Sequence, residues 1–184
     1  MQETGWLITV RRLAQHHSGG KSRTYGRYEA FIDGNAIAGL SGFVCEAIGP
    51  GDNKTLNNGK RIEAGRYPLF THWRGEKYAS VGYALDTATP GALKMPAIRV
   101  GETEARTDIL IHPGHPPTPY LSSVGCFNLT APLQPTEEME FWESRARVVA
   151  LLDSLRAFAP EAFTAEDITR IPNAWLVVEG EPAD

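Results

Sequence analysis

The two residues best suited to covalent chemistry in this chain are Cys126 and His112, with a proline-rich stretch between them. A cysteine attacks a carbonyl only as the thiolate, and a neighbouring imidazole can remove its proton and then stabilise the anion. His112 ends the run Asp108-Ile109-Leu110-Ile111 and is followed by Pro113-Gly114, so a strand delivers its ring to a rim where strand gives way to loop. Cys126 follows Ser122-Ser123-Val124-Gly125 and precedes Phe127-Asn128. Gly125, with no Cβ, lets the backbone turn sharply and lets a substrate carbonyl approach closely. Backbone N–H groups from Val124 to Cys126 would form an oxyanion hole, where loss of one donor costs on the order of 3 kcal/mol of barrier. Ser123 and Asn128 are placed to orient this loop or to bond a substrate amide.

Other groups have weaker claims. His115 would contact substrate, against the commoner fate of a loop histidine, which is to be solvated. A zinc site built from His112, His115 and Cys126 lacks the paired Cys/His spacing that such sites use, so no metal and no cofactor is expected. Arg61, Arg66 and Arg106 would suit carboxylates through bidentate contacts, and Tyr67, Tyr120 and Trp73 would wall a groove, although strand-edge charge and core packing are the ordinary uses of both types. Cys45, inside Gly42-Phe43-Val44-Cys45-Glu46, reads as a buried free cysteine in a strand.

The elements that must position these groups are mostly strands. Short apolar or alternating runs separated by Gly, Pro, Asn and Asp predict strands over Trp6–Arg12, Arg27–Ile32, Gly42–Glu46, Gly65–Phe70, Ala79–Tyr83, Ala97–Val100 and Asp108–His112. Asp33-Gly34-Asn35 predicts a hairpin turn. Loops are expected at His17–Ser22, Gly49–Gly59 and Pro113–Ser122. After Pro135 the pattern changes: Glu137, Glu138 and Glu140 favour a helix start, Phe141, Val148, Leu152 and Leu155 recur at helical spacing, and Pro160 ends the run. Thr164-Ala165-Glu166-Asp167 predicts a second, short helix, giving a helical C-terminal part over 136–171, and Ala174–Glu179 a last strand.

Composition limits the classes of function. The 184 residues, 42% hydrophobic, fit one domain over 1–184 with a sizeable core. A formal charge of -4 offers no basic face, so nucleic acid is not an expected partner. No run approaches the roughly 20 apolar residues of a membrane span, and Met1–Val10 does not read as a signal peptide, which predicts synthesis in the cytoplasm.

Strand-His-x-Gly followed by Ser-x-Gly-Cys-x-Asn resembles the signature of the L,D-transpeptidase catalytic domain. Arg61-Ile62-Glu63-Ala64-Gly65-Arg66-Tyr67-Pro68-Leu69 is similar to that family's Thr-Pro-x-Gly-x-Tyr/Phe strand, so the motif core spans 61–128. The resemblance implies a mainly β, L,D-transpeptidase-like β-sandwich with one longer and one short C-terminal helix. It implies Cys126 as nucleophile, His112 as base, and a backbone carbonyl at Pro113 or Gly114 that sets the imidazole tautomer, with Val124 and Gly125 in the oxyanion turn and Ser123, Asn128, His115 and Tyr120 near substrate.

Val124, where most members carry a histidine, and the short loop before Cys126 are similar to type VI secretion effectors of this family. They imply L,D-carboxypeptidase cleavage or D-amino-acid exchange on peptidoglycan stem peptides in a target cell's periplasm. An immunity protein and a secretion-apparatus component would be the implied partners. A peptidoglycan-binding or phage/secretion structural module with the same fold and no activity is the alternative. A papain-like enzyme is disfavoured, because there the cysteine precedes the histidine and opens a helix, whereas Leu129-Thr130-Ala131-Pro132 does not continue as one.

Overall fold

The structure is a computed structural model and describes residues 4–73, 77–85 and 94–181, so Met1–Glu3 of the N-terminal stretch lie outside the described residues. Chain order is β1 (Trp6–Ser18), β2 (Lys21–Ile32), β3 (Asn35–Glu46), β4 (Gly65–Thr71), β5 (Tyr78–Ala79), β6 (Met95–Pro96), β7 (Ile98–Val100), β8 (Ile109–Pro113), β9 (Phe127–Thr130), α1 (Phe141–Phe158), a 3-10 turn at Pro160–Phe163 and β10 (Arg170–Glu179). The fold is mainly β, as composition and punctuation predict. It is not a sandwich. Eight strands close into one barrel in the order β1-β10-β4-β7-β8-β9-β3-β2, with β5 and β6 as a separate two-stranded flap.

Closure follows from the lengths and bends of β1 to β3. These run as one antiparallel meander with register shifts at Arg12/Ala14 and Glu29/Phe31, and such irregularities increase the local bend that a closing sheet needs. The turn expected at Asp33-Gly34 is present, with both residues at positive φ and Asn35 already paired to Ile32. The loop expected over His17–Ser22 shrinks to Gly19-Gly20, because β1 reaches Ser18 and β2 starts at Lys21. The parallel pairing of β1 with β10, from Trp6↔Ala174 to Arg11↔Glu179, closes the ring.

Alternation along β8 and β9 sets the site. Ile109, Ile111, Phe127 and Leu129 join the main core with Ile98 and Val100 of β7 and Val44 of β3. The strands pair in parallel, with Ile111↔Phe127 and His112↔Asn128. Successive side chains point to opposite faces, so Leu110, His112, Cys126 and Asn128 share the outer face. Cys45, opposite Asn128, lies on that face too, in a small second cluster with Tyr25 and Met139.

The helix packs on β8 and β9 and buries Val148, Leu151, Leu152 and Leu155 in the main core, each side chain contributing roughly 1.5–3 kcal/mol of burial. It begins later than predicted. Glu140 caps it by accepting the Glu143 N–H at 2.7 Å, while Glu137 accepts from Gln134 in the turn before. The helix expected at Thr164–Asp167 does not form: Thr164 donates to the Glu161 carbonyl at 3.0 Å, Asp167 accepts from Ile168 next to it, and a 3-10 turn sits earlier, started by Pro160. The strand expected over Ala79–Tyr83 is reduced to Tyr78–Ala79. Among the described residues no helix is long and apolar enough to cross a membrane.

Candidate active site

His112 is 2% exposed, and its Nδ1–H donates to the Pro113 carbonyl at 2.8 Å. Of the two carbonyls expected to hold the ring, Pro113 does so, while Gly114 donates its N–H to Ser144 Oγ at 2.7 Å. With Nδ1 committed, Nε2 keeps its lone pair and has no hydrogen-bond partner among the described residues. Asn128 Nδ2 lies 3.4 Å from Nδ1 and 3.3 Å from the His112 carbonyl; the carbonyl is its acceptor, since Nδ1 already bears the proton given to Pro113. Asn128 Oδ1 accepts the Ser122 N–H at 2.9 Å. Asn128 therefore stitches the loop to β8 from a fully buried position.

Cys126 is partly exposed where the loop re-enters the sheet. Its sulfur accepts the Leu110 N–H at 3.3 Å and lies 3.5 Å from the Asp108 carbonyl. It opens on a cleft of about 320 Å³ lined by Leu56, Asn57, Arg106, Thr107, Asp108 and Val124 among others. A second cleft of about 540 Å³ shares Arg106, Thr107 and Asp108 with it and extends to Phe70, Arg99 and Ile168. Cys126 and His112 share one face of adjoining strands, and no hydrogen bond joins them.

The turn before Cys126 is strapped from both sides. Ser123 Oγ accepts the Gly125 N–H at 2.9 Å and donates to the Cys126 carbonyl at 2.9 Å. Arg106 donates to the Val124 carbonyl at 3.1 Å and to the Asp52 carbonyl at 3.0 Å, tying the 49–59 loop to the turn. Gly125 has φ +151°, and a Cβ there would strike the Arg106 guanidinium. The dihedral favours glycine here, and a larger residue would also have to push the Arg106 guanidinium off the Val124 carbonyl. In this arrangement the Gly125 N–H is already engaged, while the Val124 side chain is exposed to solvent.

The electrostatics keep both Cys126 and His112 neutral. Burial pushes the Cys126 thiol up to about 11, opposed by the Leu110 N–H and the Ser123 hydroxyl. Burial pushes His112 down to about 3, with the neighbouring basic groups His115, His72 and Lys77 acting the same way and the Pro113 bond opposing. At neutral pH the pair is thiol and imidazole, not an ion pair. Cys45, fully buried, is pushed up to about 12 and has no route to solvent.

The remaining expectations divide. His115 is buried, not solvated: its backbone N–H donates to Ser122 Oγ at 2.7 Å and its ring lies 5.9 Å from that of His112. Tyr120 packs its ring under Arg23 at 4.0 Å, donates to the Pro135 carbonyl and lines a different cleft with Lys21 and Thr118, so it anchors the loop away from Cys126. Arg61 is held by Thr24 and Glu181, and Arg66 lies over Trp175; of the three arginines only Arg106 reaches the cleft. Tyr67 is buried and donates to the Glu63 carbonyl, and Trp73 carries Lys94 on its ring. Among the described residues no three His, Cys, Asp or Glu side chains are arranged to hold a metal ion, His112, His115 and Cys126 included.

Sequence reasoning missed Tyr78 and His72. His72 directly follows β4, and His112 is the last residue but one of β8, so in both a histidine comes at the close of an apolar strand, which was a usable signal. Burial pushes it down to about 4, with Arg99 adding to the effect. Tyr78 reaches the site only because the two-residue strand β5 pairs with β6, which no local periodicity announces. No protein-family profile, curated protein or solved structure matches the chain.

Proposed function

We propose that the chain is a cysteine acyl-transfer enzyme of the L,D-transpeptidase type that trims or exchanges the terminal D-amino acid of peptidoglycan stem peptides. The observation that carries this reading is an imidazole with Nδ1–H pinned to the Pro113 carbonyl and a free Nε2, on the same sheet face as a cysteine that opens on a cleft. The choice of substrate rests on the motif resemblance around His112 and Cys126.

Because both groups rest neutral, the proton moves as the bond forms. Cys126 Sγ attacks the carbonyl carbon between the L-centre and the D-amino acid, and its proton passes to His112 Nε2. The tetrahedral oxyanion is met by backbone N–H groups of the 124–126 turn, with Gly125 exchanging Ser123 Oγ for the new acceptor. Collapse breaks the C–N bond, His112 returns the proton to the leaving amine, and a thioester remains. Water then releases the trimmed stem, or an incoming D-amino acid amine gives the exchanged one.

Incubation with disaccharide tetrapeptide, read by mass spectrometry, should show loss or exchange of terminal D-Ala, and Cys126→Ala should abolish it. Full activity in that variant would end the proposal. The resemblance also supports delivery into a rival's periplasm as an antibacterial effector. In that case, export of the chain to a host periplasm arrests growth only when Cys126 is intact. The raised thiol favours one alternative, a binding module with no activity. Retention on peptidoglycan with no turnover, by wild type and Cys126→Ala alike, is the outcome that reading requires.

A further inference from the structure

The flap over the site carries a residue to which the proposed chemistry gives no task. Tyr78 of β5 lays its ring on that of His112, with 4.3 Å between centroids and 30° between planes. Its hydroxyl lies 2.5 Å from His115 Nε2. The direction of that bond follows from the other nitrogen of His115: Nδ1–H donates to the Pro116 carbonyl at 2.9 Å, so Nε2 holds a lone pair and the phenol donates to it. With its proton committed, Tyr78 offers the site a ring face and not an acid.

We propose that Tyr78 is a positioning residue, fastened by His115, whose ring covers the His112 imidazole, fixes its plane and keeps water from it while Nε2 stays open to the thiol. This rests on the reading of His112 as the base.

Three observations converge on it. His112 is 2% exposed although it stands on the outer face of the barrel, so something must cover it, and the Tyr78 ring is in contact there. The latch residue His115 comes from the loop that follows β8, so the same chain segment carries the base and the group that holds its cover. The flap is itself fixed to the rest of the molecule: Arg156 of α1 donates to the Ser80 carbonyl at 2.7 Å, and the His72 N–H donates to Ser80 Oγ at 3.0 Å.

The charged and titratable groups facing His112 are His115, His72 and Lys77, and Cys126 stands close enough to act on Tyr78. Burial and the Cys126 charge push the phenol upward, so it remains a donor at physiological pH. Burial pushes His115 downward, so its lone pair persists through neutrality and the latch opens only in acid.

The test is an NMR titration of the His112 ring in the full chain and in Tyr78→Ala, Tyr78→Phe and His115→Leu. Uncovering the imidazole in Tyr78→Ala is expected to raise its titration midpoint by at least about one pH unit, a tenfold change in acidity. Tyr78→Phe and His115→Leu each remove the same hydrogen bond, so each should give a smaller rise, His115→Leu the larger because it also removes a basic neighbour, and the double variant should give no more than His115→Leu alone. With disaccharide tetrapeptide, kcat should fall in all of these while KM stays within about twofold.

An unmoved midpoint in a folded Tyr78→Ala overturns the proposal whatever the activity. If that variant does not fold, Tyr78→Phe, which loses a single oxygen, decides in the same way. A raised midpoint in a protein that shows no turnover would uphold the cover over His112 and overturn the enzymatic reading instead.

Discussion

Ser123 shows how much of this site depends on one hydroxyl. It bridges the Gly125 N–H and the Cys126 carbonyl, so it holds the turn in the shape that presents the sulfur. Ser123→Ala should lower kcat about tenfold, matching the roughly 1–1.5 kcal/mol of a typical hydrogen bond, with little change in thermal midpoint because the turn is at the surface. Steady-state kinetics alongside a melting curve would check this, and unaltered kcat would contradict it. A second expectation concerns the thiol. The thiolate is the reactive form, and a thiol pushed up to about 11 has little thiolate at neutral pH. Alkylation of Cys126 by iodoacetamide should therefore be slower at pH 7.5 than that of an ordinary thiol and should climb about tenfold per pH unit up to about pH 10. A plateau below pH 8 would show that His112 already holds a thiolate. Residue type and order singled out Cys126 and His112, which the parallel register of β8 and β9 places on one face, while the carbonyl that holds the imidazole came from the resemblance, which left Pro113 and Gly114 both open. Tyr120 was not, because an aromatic in a Pro-rich loop carries no sign of whether it faces a groove or packs under an arginine.

At the scale of elements, the helix and the two site strands are joined by one side chain. Ser144 of α1 accepts the Gly114 N–H at 2.7 Å and donates to the Leu129 carbonyl of β9. Ser144→Ala leaves a buried backbone N–H without a partner, and urea denaturation should show a loss of about 1–3 kcal/mol. The sheet face that holds His112 also carries a cost in acid. The unfolded histidine binds a proton below about pH 6.5, whereas the folded one resists until about 3. Stability conferred by the neutral ring at pH 7 is therefore lost as pH falls through that window, by about 2 kcal/mol at pH 5 for this residue. Urea midpoints at pH 7 and pH 5 would reveal it, and equal midpoints would refute it. The position of β10 could be read from alternation, since it buries every second side chain from Ala174 to Val178, whereas β8 is buried throughout and shows only as a short apolar run after Asp108. The flap and the failed helix at Thr164–Asp167 could not, because a two-residue strand has no period and a capping pattern is indifferent to whether the following residues have anything to pack against.

Considered whole, the molecule is a ring that closes only when its first and last strands meet. β1 and β10 pair over Trp6–Arg11 and Ala174–Glu179, and Trp6, Ile8, Ala174 and Leu176 are buried there. Removing residues 170–184 would leave both β1 and β4 with open edges, and the shortened chain is expected to be aggregated or unfolded by size-exclusion chromatography and circular dichroism. A soluble, cooperatively melting product would mean that closure is dispensable. The expected sandwich and the observed barrel share the same alternating strands, and the difference lies in which distant strands pair. That information is held in bulges and in one parallel contact between chain ends, not in any local run.

The in-register parallel pairing of β8 with β9 has one more consequence, which is a matter of odd and even. Leu110 and His112, and Cys126 and Asn128, stand an even number of residues apart, so they face the same way. Inserting a single residue between Ile111 and His112, or between Cys126 and Phe127, would send one of the two side chains toward the core, whereas the connecting segment outside the hydrogen-bonded positions has no such constraint. Length changes in this chain are therefore tolerated or ruinous according to parity in these strands, and Cys126 and His112 can drift apart in sequence number without ever leaving the same face.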